Sequence, residues 1–204
     1  MTRPDPLRRA LLATPALVLM PATLRAAEPI GAAVTVRGEA HLATAAGVAA
    51  LRPADPLALG DTVSTGADGV AALELRQQTL VQIGPQASLT LDRFIAETGG
   101  VITLGGGGMV FDRPDDLPPI DLAVRTAFAR IGVRGTRFFA GPSKGVFGVF
   151  VQRGSVQVMA GGARRRLGAG EGVDIARPGA VPGPVSGWKP ARIAAAFASV
   201  GLRP

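Results

Sequence analysis

From Ala32 onward the chain is a series of short apolar runs, each cut off by Gly, Pro or Asp. Val34 and Val36 alternate with Thr35 and Arg37, and Gly38-Glu39 turns the chain. Ala71, Leu73 and Leu75 share one face of Val70–Leu75, with Glu74 on the other. Val81 and Ile83 pair up before Gly84-Pro85, and Leu89 and Leu91 alternate with Ser88, Thr90 and Asp92. A period of two places successive side chains on opposite faces, which is the mark of half-buried strands. Strand and turn signals recur about every 8–12 residues, the spacing of sandwiches, barrels and β-solenoids. The 28 Gly and 17 Pro in 204 residues point to many tight turns, and a fold with many turns and few long helices favours β over α. The expectation is an all-β fold of short, antiparallel-rich strands. Sandwich, flattened barrel and irregular solenoid all remain open, although no strict internal repeat favours the last.

Val146–Val151 is apolar on both faces, with Phe147, Val149 and Val151 on one and Val146 and Phe150 on the other. That pattern reads as a central strand covered on both sides. Arg153-Gly154 is read as a turn into Val156 and Val158, and Arg164-Arg165-Arg166 as a solvated basic turn before Leu167, the alternative being contact with an anionic surface such as lipid headgroups or polysaccharide. Gly105–Gly108 reads as a hairpin or bulge, since no Lys-Ser/Thr follows to make a phosphate loop. Beyond the Pro/Gly linker Gly179–Pro184, Pro190 suits a first helical turn. Ile193, Phe197 and Val200 then share one helix face, and Trp188 is placed to pin this tail to the domain.

The first residues read as an address. Arg8-Arg9 precedes an apolar run of eleven residues, Ala10 to Met20, and Leu24-Arg25-Ala26 supplies a small-residue cleavage site. A bilayer-spanning helix needs about 20 apolar residues, whereas a signal-peptide core needs roughly 7–15. Cleavage is expected after Ala26 or Ala27, and the arginine pair resembles a twin-arginine export signal. The sequence thus divides into an export signal (1–26), a β-domain (32–178) and a linker with helical tail (179–204). Of the net charge of +7, segment 1–26 carries +3 and the remainder +4. That balance is too modest to argue for nucleic acid, and with aromatics at 4% and no Tyr, base-stacking surfaces are scarce.

Four segments in order carry a family resemblance: Leu57–Leu73 with its Gly60-Asp61 and Thr65-Gly66 cores, Thr126–Phe138 with Val133-Arg134-Gly135-Thr136, Val149–Val158, and Leu167–Gly172. Together they resemble the FecR domain, over roughly Val34 to Ala176. The resemblance implies a stand-alone exported form of the periplasmic domain of the ferric-citrate signalling regulator, in a Gram-negative envelope. Family members often carry Thr-Pro where Thr126-Ala127 stands. Only seven residues precede Arg8, which leaves no room for a cytoplasmic sigma-factor-binding segment, so anti-sigma activity is not carried over.

Read from their chemistry, these motifs set turns and register. Gly60 and Gly66 supply positive-φ or close-packed backbone, and Asp61 and Thr65 bond neighbouring amides. Gly135 lets a strand bulge where Thr136 re-enters the ladder. Arg134 has five donors to tie loops together or to hold a partner, the first reading being the stronger. Candidate binding residues are therefore Arg134, Thr136 and Asp61, with Trp188 as a sugar-stacking candidate.

Catalytic types are missing. There is no Cys, so disulfides, thiolate sites and thiol nucleophiles are excluded, and the single His41 makes neither a metal cluster nor a convincing base. Asp112, Asp115 and Asp116 lack the order of a calcium loop and read as a plain acidic loop. No cofactor, metal or catalytic residue is expected. The functional expectation is a non-enzymatic periplasmic module that binds an envelope protein, with membrane contact only through an uncleaved signal segment. The alternative is a binder of cell-wall glycan or a small ligand.

Overall fold

A computed structural model describes residues 28–76, 78–95, 99–114, 116–117 and 121–204, without the side chains of 93–95 and 134–135. The export signal expected over 1–26 lies outside the described residues. Among the described residues sixteen strands and one short helix follow in chain order. The first eight are β1 (Gly31–Arg37), β2 (Ala40–Thr44), β3 (Gly47–Ala50), β4 (Pro56–Leu57), β5 (Thr62–Thr65), β6 (Val70–Leu75), β7 (Thr79–Ile83) and β8 (Ser88–Ile95). Then come β9 (Gly99–Gly106), β10 (Met109–Asp112), β11 (Asp121–Thr126), β12 (Arg130–Ser143), β13 (Val146–Ala160), β14 (Ala163–Leu167), β15 (Glu171–Ile175), β16 (Ser186–Gly187) and α1 (Pro190–Ala198).

All the strands belong to one sheet that does not close, which excludes a barrel. One wing runs β3-β2-β5-β8-β9-β11 and the other β10-β7-β6-β1-β4, with β12 joining them. The join has a simple cause. β12 and β13 are 14 and 15 residues long, far longer than the other strands. Residues 130–133 of β12 pair with β11, and 137–140 pair with β10. Likewise 156–160 of β13 pair with β14, and 147–150 with β15. One hairpin therefore serves both wings, and their inner faces share one core that includes Val63 and Leu89 from the first and Leu73 and Val81 from the second. The arrangement is a sandwich made by folding one sheet over. After β9 the chain lays down β10 in the other wing and returns as β11, so β9 and β11 pair in parallel, as a crossover permits.

The alternation expected for β6, β7 and β8 is present: Ala71, Leu73, Leu75, Val81, Ile83, Leu89 and Leu91 are all fully buried. Val34 departs from it. A register shift between Ala33 and Thr35 flips parity, so Ala33 is buried and Val34 is 45% exposed while Val36 still packs on the core. Gly105–Gly108 makes no hairpin, because β9 and β10 do not pair; the register shift between Ser88 and Leu89 places a bulge at Gly105 instead.

Two further turn assignments are corrected. Arg153-Gly154 lies inside continuous β13, where Gly154 at φ +79° accommodates a bulge opposite the shift between Arg134 and Phe138. A positive-φ glycine serves a bulge as well as a turn, which is why the sequence reads either way. Arg164-Arg165-Arg166 lies in β14, and the turn that precedes it is Gly161-Gly162.

The outer face of the second wing is covered by the tail. Gln82, Val110, Phe139, Phe150 and Gly172 are successive cross-strand partners on β7, β10, β12, β13 and β15. Val110, Phe139 and Phe150 form a second core with Trp188, Ala196, Phe197 and Val200. The backbone carbonyl of Val200 accepts the Gln82 amide at 3.0 Å. This satisfies a buried polar side chain where the helix ends. Among the described residues, no helix is long and apolar enough to cross a membrane.

Candidate functional site

The sequence-derived candidates fall at three separate places. Asp61 is 6% exposed, and its Oδ2 accepts the Ala58 amide at 2.7 Å, closing the turn that enters β5. Its neighbour in the same motif, Thr65, accepts the Ala87 amide at 2.9 Å and donates to the Gly84 carbonyl at 2.7 Å. Both side chains are spent on backbone groups that the fold would otherwise leave unpaired.

Thr136 sits at the corner where the β12–β13 hairpin passes from one wing to the other. It is fully buried and its hydroxyl donates to the Arg153 carbonyl, while its own carbonyl accepts the Arg113 amide at 3.2 Å. The register places Arg134 opposite Ser155 at this bulge; its side chain lies outside the described residues. Missed by the sequence reading is the polar knot around the corner. Asp112 receives Arg153 at 3.0 Å and Arg137 at 3.5 Å. Arg113 is fully buried, donates to the Thr79 hydroxyl at 3.0 Å, and has its pKa lowered by desolvation. The only sequence signal is the Asp112-Arg113 pair at the end of an apolar strand. Asp112 thus serves arginines, and Asp115 of the acidic loop lies outside the described residues. Among the described residues no group of three or more His, Asp or Glu is gathered as a metal site.

Trp188 is 8% exposed. Its indole stacks on Phe150 at 5.2 Å between centroids, and the Arg192 guanidinium lies 3.6 Å from its ring. A Cβ on Gly172 would come within 2.2 Å of the indole nitrogen, and one on Gly148 within 2.7 Å of the far edge of the ring. Two glycines on adjacent strands therefore make the floor on which the ring lies. Arg192 is held in turn by Asp174 at 2.6 and 3.1 Å and by Ser143 at 3.0 Å. The ring holds the tail between Phe150 and Arg192, with 8% of Trp188 left exposed for the expected sugar stacking.

Two features do present themselves to a partner. One is a slot of about 290 Å³ between Gly105–Gly107, the Thr126–Phe128 turn and Pro142–Phe147, with Phe128 and Phe147 stacked at 4.6 Å. The other is β3. It pairs with β2 alone, and all four of its residues are exposed, Val48 at 71%. It carries no charge and no proline. The Leu51 amide bonds the Ala40 carbonyl at 2.9 Å. Bonded and non-bonded pairs alternate in an antiparallel ladder, so Ala49 and Gly47 face β2, and the amides and carbonyls of Val48 and Ala50 point outward.

These features define an all-β scaffold domain whose distinctive side chains serve its own backbone. The family model described as FecR protein matches residues 61–157, and the chain carries a FecR domain there. The matched span runs from the Asp61 turn through the whole corner. Two crystal structures of a candidate anti-sigma factor from Parabacteroides distasonis, at 1.65 and 2.50 Å, share the fold. Each aligns with TM-score 0.50 and 19% identity over 62% of this chain and 59% of that one. The similarity is one of fold, and it spans less than two thirds of that protein. No curated protein matches the chain.

Proposed function

We propose that this protein is a non-enzymatic interaction module of the cell envelope, exported to the periplasm with loss of residues 1–26, in which β3 accepts an extended segment of an envelope protein as an added strand. The FecR match supports a signalling or regulatory module. The observation that carries the proposal is the bare edge. Natural sheets blunt such edges with charge, proline or a cover, because unpaired amides and carbonyls template another strand. β3 has none of these devices among the described residues. Main-chain bonds would supply affinity, and the exposed Val48 side chain would supply part of the specificity.

The test is a cross-linked pull-down from the envelope fraction with wild type and Val48→Pro, with the mature N-terminus of the bait read by mass spectrometry. The Val48 amide points away from β2, so proline there removes an outward donor and leaves the β2–β3 ladder intact. The expected result is one envelope protein enriched by wild type and lost with Val48→Pro, on a bait beginning near Ala27. Equal capture by both baits overturns the edge as the docking site, and a bait still starting at the N-terminal arginines overturns the exported form. The apolar slot beside Phe128 favours a second reading, a small apolar ligand, and a thermal-shift screen that raises stability with such a compound would support it.

A further inference from the structure

Arg125 on β11 stands directly opposite Arg130 on β12. Arg130 stands opposite Met159 on β13, and Met159 opposite Arg164 on β14. Arg166 follows two residues along β14 on the same face, level with Gln157. The inner sides of these strands carry Val124, Ile131 and Val158 into the core, so the arginine row lies on the outside of the first wing. All four arginines are exposed, and Met159 between them is half-buried. Among the described residues none of the four guanidinium groups has an ion-pair or hydrogen-bond partner. Asp92, near the row, accepts the Thr103 hydroxyl at 2.6 Å instead.

Like charges placed directly across a ladder are destabilising. A chain that needed only a soluble surface would intersperse the signs. From this unneutralised array on one face of the sheet we infer that the outer face of β11–β14 docks on an anionic lipid bilayer. Three features select that occupant. Strands lie about 4.8 Å apart and the four side chains leave the same face of the sheet, so the groups can meet one extended surface together. Arg166 lies off the row, which spreads the charge in two dimensions, where a linear polyanion would follow the row alone. Guanidinium groups match phosphate with paired donors, and Met159 offers an apolar contact at the centre of the patch. A contact through this face leaves the β3 edge free in the plane of the sheet, so the inference stands apart from the strand-addition proposal.

The test is co-flotation of the full chain with vesicles of phosphatidylglycerol and phosphatidylcholine, against vesicles of phosphatidylcholine alone. Each arginine near such a surface contributes about a fivefold gain in partitioning, so Arg125→Gln/Arg130→Gln should bind the anionic vesicles about 25-fold more weakly. The charge-matched Arg52→Gln/Arg177→Gln, at exposed arginines off the patch, should keep the wild-type value. The export signal is common to all variants and cancels in the comparison. Circular dichroism of the patch variant should show the native β spectrum. Equal losses in the two double variants, no loss in either, or patch-dependent binding to dextran sulfate without binding to vesicles would each overturn the inference.

Discussion

The two wings treat their outer faces in opposite ways. In the second wing the cross-strand row Gln82–Val110–Phe139–Phe150–Gly172 is apolar or small and lies under α1 and Trp188. In the first wing the row Thr103–Arg125–Arg130–Met159–Arg164 is polar and charged, with no helix laid on it among the described residues. Both rows cross the same hairpin, β12–β13, at Phe139–Phe150 and at Arg130–Met159, on either side of its bulge. A sheet face must be covered or made polar, and this molecule does each once. The covered face is settled within the chain, whereas the charged face carries like signs with no partner among the described residues.

The largest break in this comparison comes from the anchor. Trp188→Ala or Phe150→Ala should cost about 3–5 kcal/mol, the usual loss for a buried large aromatic. Urea unfolding followed by circular dichroism measures it. A loss below about 1 kcal/mol would mean that the tail is not part of the folded unit. Next comes Gly172→Ala. The new Cβ would fall 2.2 Å from the Trp188 nitrogen, so the ring must shift, at a cost of about 1–3 kcal/mol. Gly170→Ala is a poor control, since that glycine sits at φ +82°. Gly132→Ala is the better one, for it has ordinary contacts at 3.8 Å and should change little. Smaller again is Arg192→Ala, which removes a bidentate contact with Asp174 and the cation over the indole. The expected cost is about 1–2 kcal/mol, with part of it salt-dependent because Asp174 is 45% exposed.

Legibility in the sequence follows the range of the interaction. Val146–Val151 reads correctly as doubly covered, because both of its faces are apolar and the two cores it joins need nothing further to be foreseen. Ile193, Phe197 and Val200 show their shared face by spacing alone. The failures fall where a local signal has two structural uses. Gly154 at positive φ could have been a turn and is a bulge. Val34 keeps its alternating neighbours but loses its face to a register shift after Ala33. The arginine row was invisible, since Arg125, Arg130 and Arg164 are brought into line only by pairing across four strands, β11 to β14. The same holds for Asp112 with Arg153, 41 residues apart in the chain. Asp61 was legible as a turn-maker because its bond to Ala58 closes within the motif, whereas Thr65 reaches past the motif to Gly84 and Ala87, which no local signal announces.

The smallest expected effect sharpens the comparison most. If Arg125 and Arg130 repel across the ladder, Arg130→Gln should stabilise the protein by a few tenths of a kcal/mol at low ionic strength. Because both groups are exposed, about 1 M salt should erase the gain. Denaturant titrations at the two salt levels, with an unchanged m value, read this difference while cancelling any change in strand propensity that salt does not touch. A stabilisation present at low salt and absent at high salt means that the face is strained as an isolated surface, as a docking face would be. A destabilisation at low salt would mean that Arg130 makes favourable contacts within the chain. The two outer faces would then be equally self-sufficient, and the physical reason for placing the arginine row against an anionic surface would be gone.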